Sequence, residues 1–458
     1  MKIQNISIFG TSSDAGKSTI TFVIGKILQE YGYSVTPFKA QNVSNNSHVC
    51  DDGSEIAIAQ YFQASVLDVE TSYHLNPVLL KSGRGSSASL IVEGQVVKDK
   101  DVREYYRDLD ILKPAVDRCF NYLNEKYDCV VCEGAGSPVE LNLMDKDLSN
   151  IYIADNFNTK IILVADIQKG GVFASIWGVY NLLPQKLRDN VIGVIVNKFQ
   201  GDMTLFDEGV RIIEEEFKIP VLGVLPYTPF NLGFEDSASL KNFTQDCSKA
   251  SKKVAIIAYP YMSNYNDFEP LIADPDICLE FISSNISLDK FDLVILPGSK
   301  LVIKDLIWLK ESGLFEQLKL REKEILGICG GYQMMFENII DDICVETLEP
   351  SCESGLSFID DNIIFQKQKI LKKGLYKLFK NHRAGFEIHH GISKKYPLYY
   401  DGSEEENKKN NHQNIKGTFV HGFFNDEKFK LHKEKTMSKF INDMKDRLDV
   451  KRILNSVS

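Results

Sequence analysis

Short, unbroken apolar runs, each followed by Gly, Asp or Asn, constrain this chain more than any other feature of its sequence. Residues 6–9, 129–132, 161–165 and 191–196 are such runs, all rich in Val and Ile. A half-buried strand alternates apolar with polar residues, whereas these runs do not, so they predict strands covered on both faces. A helical pattern from residue 18 to about 31 follows the first run across a Gly/Ser-rich loop. Strands alternating with helices predict the α/β class, here two domains, each built on a mostly parallel sheet with helices on both faces. Ligands of such sheets gather at the carboxyl ends of the strands, where the polar residues of these runs lie.

The chain has 458 residues, and about 150 residues per domain gives two to three domains. Around residues 240–252 the sequence KNFTQDCSKASKK is polar and weakly periodic, which sets a boundary between a domain at 1–245 and another at 246–458. A second α/β series follows in VAIIAYP, FDLVILPGSK and ILGICGGYQMM. Two polar excursions interrupt it. The basic stretch KILKKGLYKLFKNHR reads as a solvated helix face, and GSEEENKKNNHQN reads as a loop that cannot support a core.

Hydrophobic residues make up 43% of the chain and charged residues 25%, which excludes wholesale disorder. The formal charge of −10 argues against a nucleic-acid partner, because such binding rests on cationic neutralisation of phosphates. No apolar run approaches the roughly 18–20 residues of a membrane span, and MKIQNISIFG lacks the regions of a signal peptide. Nine scattered cysteines fit a reducing cytoplasm better than a disulfide framework. Cys129 and Cys132 form a CxxC, but inside an apolar run with no second pair, so they read as buried thiols rather than zinc ligands.

GTSSDAGKST places Gly10, Thr11, Ser12, Asp14, Gly16, Lys17, Ser18 and Thr19 between a strand and a helix. In such a loop successive amides point at phosphate oxygens and the helix dipole adds to them. Lys17 would reach the β/γ-phosphates of ATP, and the Ser18 hydroxyl would ligate Mg2+. Five residues rather than four separate Gly10 from Gly16. That longer loop resembles the dethiobiotin synthetase-like branch of P-loop ATPases, which activate carboxylates as acyl phosphates. The resemblance implies a second phosphate-side lysine in Lys39 and an acidic Mg2+ ligand in Glu133. It implies a second metal-ligating acid in Glu55, less readily in Asp51 or Asp52, and an adenine-facing pair in Asn197 and Lys198. A carboxylate is a poor acyl donor, but phosphorylation gives it a leaving group that an amine can displace. Lys17, Lys39 and Mg2+ would neutralise charge during that transfer.

ILGICGGYQMM puts Cys329 between a strand and a helix with small neighbours, the setting of a nucleophile elbow. The amide of Gly330 can serve an oxyanion, and Gly298 in LPGSK is the candidate for a second donor. A thiol is only slightly ionised at neutral pH, so Cys329 needs a base. His421 in GTFVHGFF is the best candidate, ahead of His389, His390 and His412. GICGGYQ resembles class I glutamine amidotransferases, which hydrolyse glutamine through a thioester. Members of that class carry an acid two residues after the histidine, where this chain has Phe423. Glu387, in GFEIHHG, is the candidate substitute, and without an orienting acid the expected glutaminase turnover is modest unless the synthetase domain is loaded.

The order of motifs through most of the chain resembles the cobyric acid synthase family, with PFKAQNVSNNS and SNYNDFEPL as the discriminating segments. The second of these opens the glutaminase half, where the two domains could meet. The resemblance implies ATP, Mg2+ and glutamine, a small-molecule corrinoid substrate and a cytoplasmic setting. A homodimer is compatible with it. The implied reaction amidates the b, d, e and g carboxylates of adenosylcobyrinic acid a,c-diamide. Two segments depart from the family pattern: SGRGSSAS after NPVLLK, and DIQKGG, where Gln168 replaces a carboxylate. The rival readings are an amidotransferase acting on another carboxylate, such as a cell-wall precursor or, like the a,c-diamide synthases, another corrinoid precursor, and a P-loop regulatory ATPase with an inactive glutaminase half.

Overall fold

The computed structural model describes residues 2–82, 87–101, 109–228, 245–405 and 414–458. Residues 83–86 of the departing segment, residues 240–244 of the boundary and His412 lie outside them.

In the first half six parallel strands form one sheet, in the order Val221–Pro226, Val191–Phe199, Lys160–Asp166, Ile6–Gly10, Cys129–Glu133 and Val35–Phe38. Side chains along a strand alternate between faces, and here both faces are covered. Ile6, Ile8, Ile162 and Val164 pack with the helix Lys17–Glu30 on one side. Phe9, Ile161, Leu163 and Ala165 pack with the helix Val172–Leu182 on the other. The absence of alternation in the sequence is the direct consequence. Cys129 and Cys132 are buried in their strand, and burial pushes both thiols up, Cys129 to about 12.

The second half repeats the scheme. Ile277–Ile282, Lys252–Ile257, Leu293–Leu296, Glu324–Ile328 and Ile415–Thr418 run parallel, and Tyr399–Asp401 closes the edge antiparallel. Cys247 and Cys278 are joined by a disulfide, a pairing that the reading of the cysteines as a scattered set did not foresee. Cys247 lies in the polar boundary segment, so no sequence periodicity links it to the strand that carries Cys278.

Two further expectations are overturned. The basic stretch is not a helix. Ile359–Leu378 pairs antiparallel with Asn381–Ile392 as a long hairpin, turning at Phe379 and Lys380, both with positive φ. Its lysines are not merely solvated, because Lys369 and Lys373 form ion pairs with Glu55 and Asp51 of the first half, both at 2.6 Å. Nor does the second domain run unbroken to residue 458. The helices Glu427–Lys445 and Val450–Val457 return to the first sheet, where Phe440, Ile441, Met444 and Ile453 share a core with Ile6, Phe22 and Leu222. Gln4 donates its amide to the Val457 carbonyl at 2.7 Å, and Arg452 pairs with Glu214 at 3.0 Å. A boundary drawn from one polar segment could not register a chain that crosses back.

Candidate active sites

The phosphate loop leaves the carboxyl end of the central strand Ile6–Gly10 and enters the helix Lys17–Glu30. Gly16 caps that helix at φ 101°, and a Cβ there would fall 2.2 Å from the Asn197 side chain. Only glycine accepts both conditions. Neighbouring segments hold the loop in shape. The Thr11 amide is bound to the Val164 carbonyl at 2.9 Å, and Lys17 Nζ donates to the Ser12 carbonyl at 3.2 Å. Asn197 donates to the Ala15 carbonyl at 2.9 Å, while Lys198 donates to the Asp14 carbonyl and pairs with Asp166 at 3.0 Å. Both side chains of the expected adenine-facing pair are thus committed to the loop's own backbone. The DIQKGG segment adds Lys169, whose Nζ donates to the Ser13 carbonyl at 2.9 Å, and Gln168, whose amide donates to Asp166. Thr19 sits in the first turn of the helix.

Glu133 ends its strand beside this loop, as expected. It accepts from Ser18 Oγ at 2.8 Å, Lys39 Nζ at 2.7 Å and Gln63 Nε2 at 2.5 Å. Burial alone would raise its pKa, but the Lys39 ammonium and the Gln63 and Ser18 hydrogen bonds hold it below the usual carboxylate range. The result is an ionised carboxylate next to a hydroxyl, two hard oxygen donors of the kind Mg2+ takes. Glu55 does not join them. Its buried carboxylate is taken up by Lys81 at 2.8 Å, Lys369 at 2.6 Å and Ser47 at 2.8 Å, which corrects its reading as a metal ligand.

The second site lies at the carboxyl end of Glu324–Ile328. Cys329 has φ 49° and ψ −103°, a conformation that a non-glycine residue holds only where the surroundings fix it. The helix Gly330–Gln333 starts immediately after it, so the Gly330 amide is one of the unpaired donors of a helix start. Gly298 lies across the site from it, and a Cβ on Gly298 would approach His421 Cε1 to 2.9 Å. Cys329 and His421 are both buried, and they lie close enough for the Cys329 side chain to act on the His421 charge.

His421 has the orienting acid that the sequence left unassigned. Its Nδ1 lies 2.7 Å from Asp267 Oδ2, and the Gly422 amide donates to Asp267 Oδ1 at 2.7 Å. Burial would lower the His421 pKa, but Asp267 and Cys329 outweigh it and push it up to about 10. Glu387 faces His389 instead, at 3.3 Å, so it is not the third member of the array. The expectation of modest turnover, drawn from a missing acid, falls with it. Asp267 stands in SNYNDFEPL, 154 residues before His421, and a search beside the histidine could not reach it.

The same segment joins the halves, as its position suggested. The Asn264 amide donates to Asn46 Oδ1 at 2.6 Å, so SNYNDFEPL meets PFKAQNVSNNS. Asn45 and Lys81 of the first half wall the small pocket around Cys329, together with Gln333, Ile388 and His390. Next to it a larger cleft of about 880 Å3 opens between the halves, lined by His48, Tyr61, Asp267, Phe386 and Lys433.

Residues 6–231 match the CobQ/CobB/MinD/ParA nucleotide binding domain family, and residues 253–429 match the CobB/CobQ-like glutamine amidotransferase domain family. The chain is similar to the cobyric acid synthase of Acinetobacter baylyi, at 63% identity with 99% of each chain covered. It is also similar to the cobyric acid synthases of Clostridium perfringens and Clostridium botulinum. Each is 38% identical over 98% of this chain and 92% of the relative.

Proposed function

The chain belongs to the cobyric acid synthase family, and we propose that it amidates the b, d, e and g carboxylates of adenosylcobyrinic acid a,c-diamide. As a member of that family it is an ATP-consuming, glutamine-dependent amide-forming ligase of cobalamin biosynthesis. What carries the reading of its two sites as one machine is the wall they share: Asn45 and Lys81 of the phosphate-loop half close the pocket around Cys329.

In the glutaminase site the Cys329 sulfur attacks the side-chain carbonyl of glutamine. The Gly330 amide, with Gly298 opposite, receives the oxyanion. The His421 imidazolium, kept in place by Asp267 at Nδ1, gives its proton to the departing nitrogen, and ammonia leaves a thioester on Cys329. Neutral His421 then takes a proton from water, whose oxygen attacks the thioester, and glutamate is released.

In the synthetase site Thr11, Ser12, Asp14, Gly16, Lys17 and Thr19 bound the phosphates of ATP. Asn197 and Lys198 keep the loop open from behind through its carbonyls. Ser18 and Glu133 would hold Mg2+, which when bound supplies positive charge against the transferred phosphoryl group. Lys17 and Lys39 add to that charge. A substrate carboxylate takes the γ-phosphoryl group, ammonia attacks the acyl carbon, and phosphate departs to leave the amide.

Incubation with the a,c-diamide, ATP, Mg2+ and glutamine tests this reading. Four successive acid-to-amide mass changes are expected. A product stopping short of four amides, or no mass change, overturns the substrate assignment.

A further inference from the structure

We propose that Glu55 is a positioning residue that makes glutamine hydrolysis respond to the state of the phosphate site. The proposal rests on the two-site reading above and adds a connection between the sites.

The strand Glu55–Ala57 continues without interruption into the helix Ile58–Val66. Two side chains of that helix reach Glu133 beside the phosphate loop: Gln63 at 2.5 Å and Gln60 at 3.4 Å. One end of this rigid segment therefore reads Glu133, whose surroundings change when phosphate and metal charge arrive. The other end carries Glu55, which is fully buried and grips Lys369 of the glutaminase hairpin at 2.6 Å.

Lys369 belongs to Ile359–Leu378, which pairs with Asn381–Ile392, with Ile370 opposite His389 and Leu371 opposite Ile388. Ile388 and His390 wall the Cys329 pocket, and the Ile388 carbonyl faces Cys329 Sγ at 3.7 Å. A shift of the hairpin thus moves the wall against the nucleophile. Lys81, the second ammonium on Glu55, is itself a wall of that pocket.

The links from Glu133 to Cys329 are hydrogen bonds, one helix, one buried ion pair and one strand pairing, and the Glu55 carboxylate carries this route from one half to the other. A carboxylate held by an ammonium from each half is a switchable joint, because weakening either pair releases the hairpin. Burial would raise the Glu55 pKa, yet Lys369 and Lys81 keep it well below the usual range, so the joint stays charged. Physical continuity alone does not establish coupling, and the test therefore measures coupling.

Glutamate release is measured with and without ATP plus the a,c-diamide, and amide formation is measured from glutamine and from ammonium chloride. In E55Q and K369M, stimulation of glutamate release by ATP and acid should fall by about tenfold. Amide formed per glutamine consumed should drop with it, while amidation from ammonium chloride stays near wild type. The double variant should be no worse than the more affected single one, and K369R should recover stimulation. K369M leaves the Glu55–Lys81 pair in place and decides the question if E55Q does not fold. Unchanged stimulation in K369M overturns the proposal, as does equal loss of ammonium-driven amidation. Failure of the wild-type chain to amidate from ammonium chloride would instead overturn the synthetase reading.

Discussion

Asp267 and His421 come from segments 154 residues apart and meet at 2.7 Å, the carboxylate fixing the ring nitrogen that faces away from Cys329. Asp267→Asn preserves shape and removes the charge that holds His421 in its proton-donating form. Glutamine-dependent amidation should fall by on the order of 10²-fold or more, as loss of a triad carboxylate does elsewhere. Amidation driven by ammonium chloride should be unaffected. Steady-state rates with the two nitrogen sources settle the matter, and equal losses would show that Asp267 only holds the halves together.

The same pair fixes a dependence of stability on pH. His421 binds its proton more tightly folded than unfolded, since its pKa is pushed up from 6.5 to about 10. Its contribution to stability is therefore complete below pH 6.5 and lost as pH rises through about 10. The stability gap between wild type and Asp267→Asn should be widest near pH 6.5 and narrow towards pH 10. Urea melts across that window read it directly, and a gap that widens with pH contradicts the assignment.

Division of labour between the sites predicts two opposite phenotypes. Cys329→Ala removes the nucleophile and should abolish amidation from glutamine while leaving amidation from ammonium chloride intact. Lys17→Ala removes phosphate-side charge and should stop both. Loss of both activities in Cys329→Ala rules out separate sites, and retained ammonium-driven amidation in Lys17→Ala overturns the phosphate-loop assignment.

Much of this was legible in the sequence for a physical reason. Strands buried on both faces must be apolar at every position, so the runs at 6–9 and 161–165 mark themselves. A phosphate loop and an elbow need glycines at fixed offsets from Lys17 and Cys329. What stayed hidden depends on contacts between distant segments. Leu371, Leu375 and Leu378 stand at helical spacing, and the turn at Phe379 and Lys380 has none of the glycine that marks a tight hairpin, so the basic stretch read as a helix. Glu55 sits between the polar DDGS and the apolar IAIA, and nothing local says that Lys81 and Lys369 will enclose it. Asp267 was in view within a discriminating segment, but its partner is set by the fold.

Glu133 serves as the carboxylate against Ser18, and its charge balances Lys39. Glu133→Gln keeps the hydrogen-bond frame while removing the negative oxygen. The Mg2+ concentration for half-maximal, ammonium-driven amidation should rise by roughly tenfold or more, in line with the loss of a charged ligand. Titrating Mg2+ at saturating ATP checks this. An unchanged Mg2+ requirement with lowered rate would assign Glu133 to Lys39 alone.

Phe440 tests the claim that the chain's last helices belong to the first sheet. Its ring lies 6.3 Å from that of Phe22, within the core that Ile6 and Leu222 also line, and it is 6% exposed. Phe440→Ala leaves a cavity in that core and should cost about 3 kcal/mol or more, although no residue of either site is touched. The loss should appear in the unfolding of the phosphate-loop half, so a nucleotide analogue that binds that half should partly restore the melting temperature by mass action. Residues 1–245 expressed alone lack the whole cover from 427 onwards and should fail to give a cooperative melt. A cooperative, nucleotide-stabilised melt of that fragment would show that the returning helices are dispensable to the first domain.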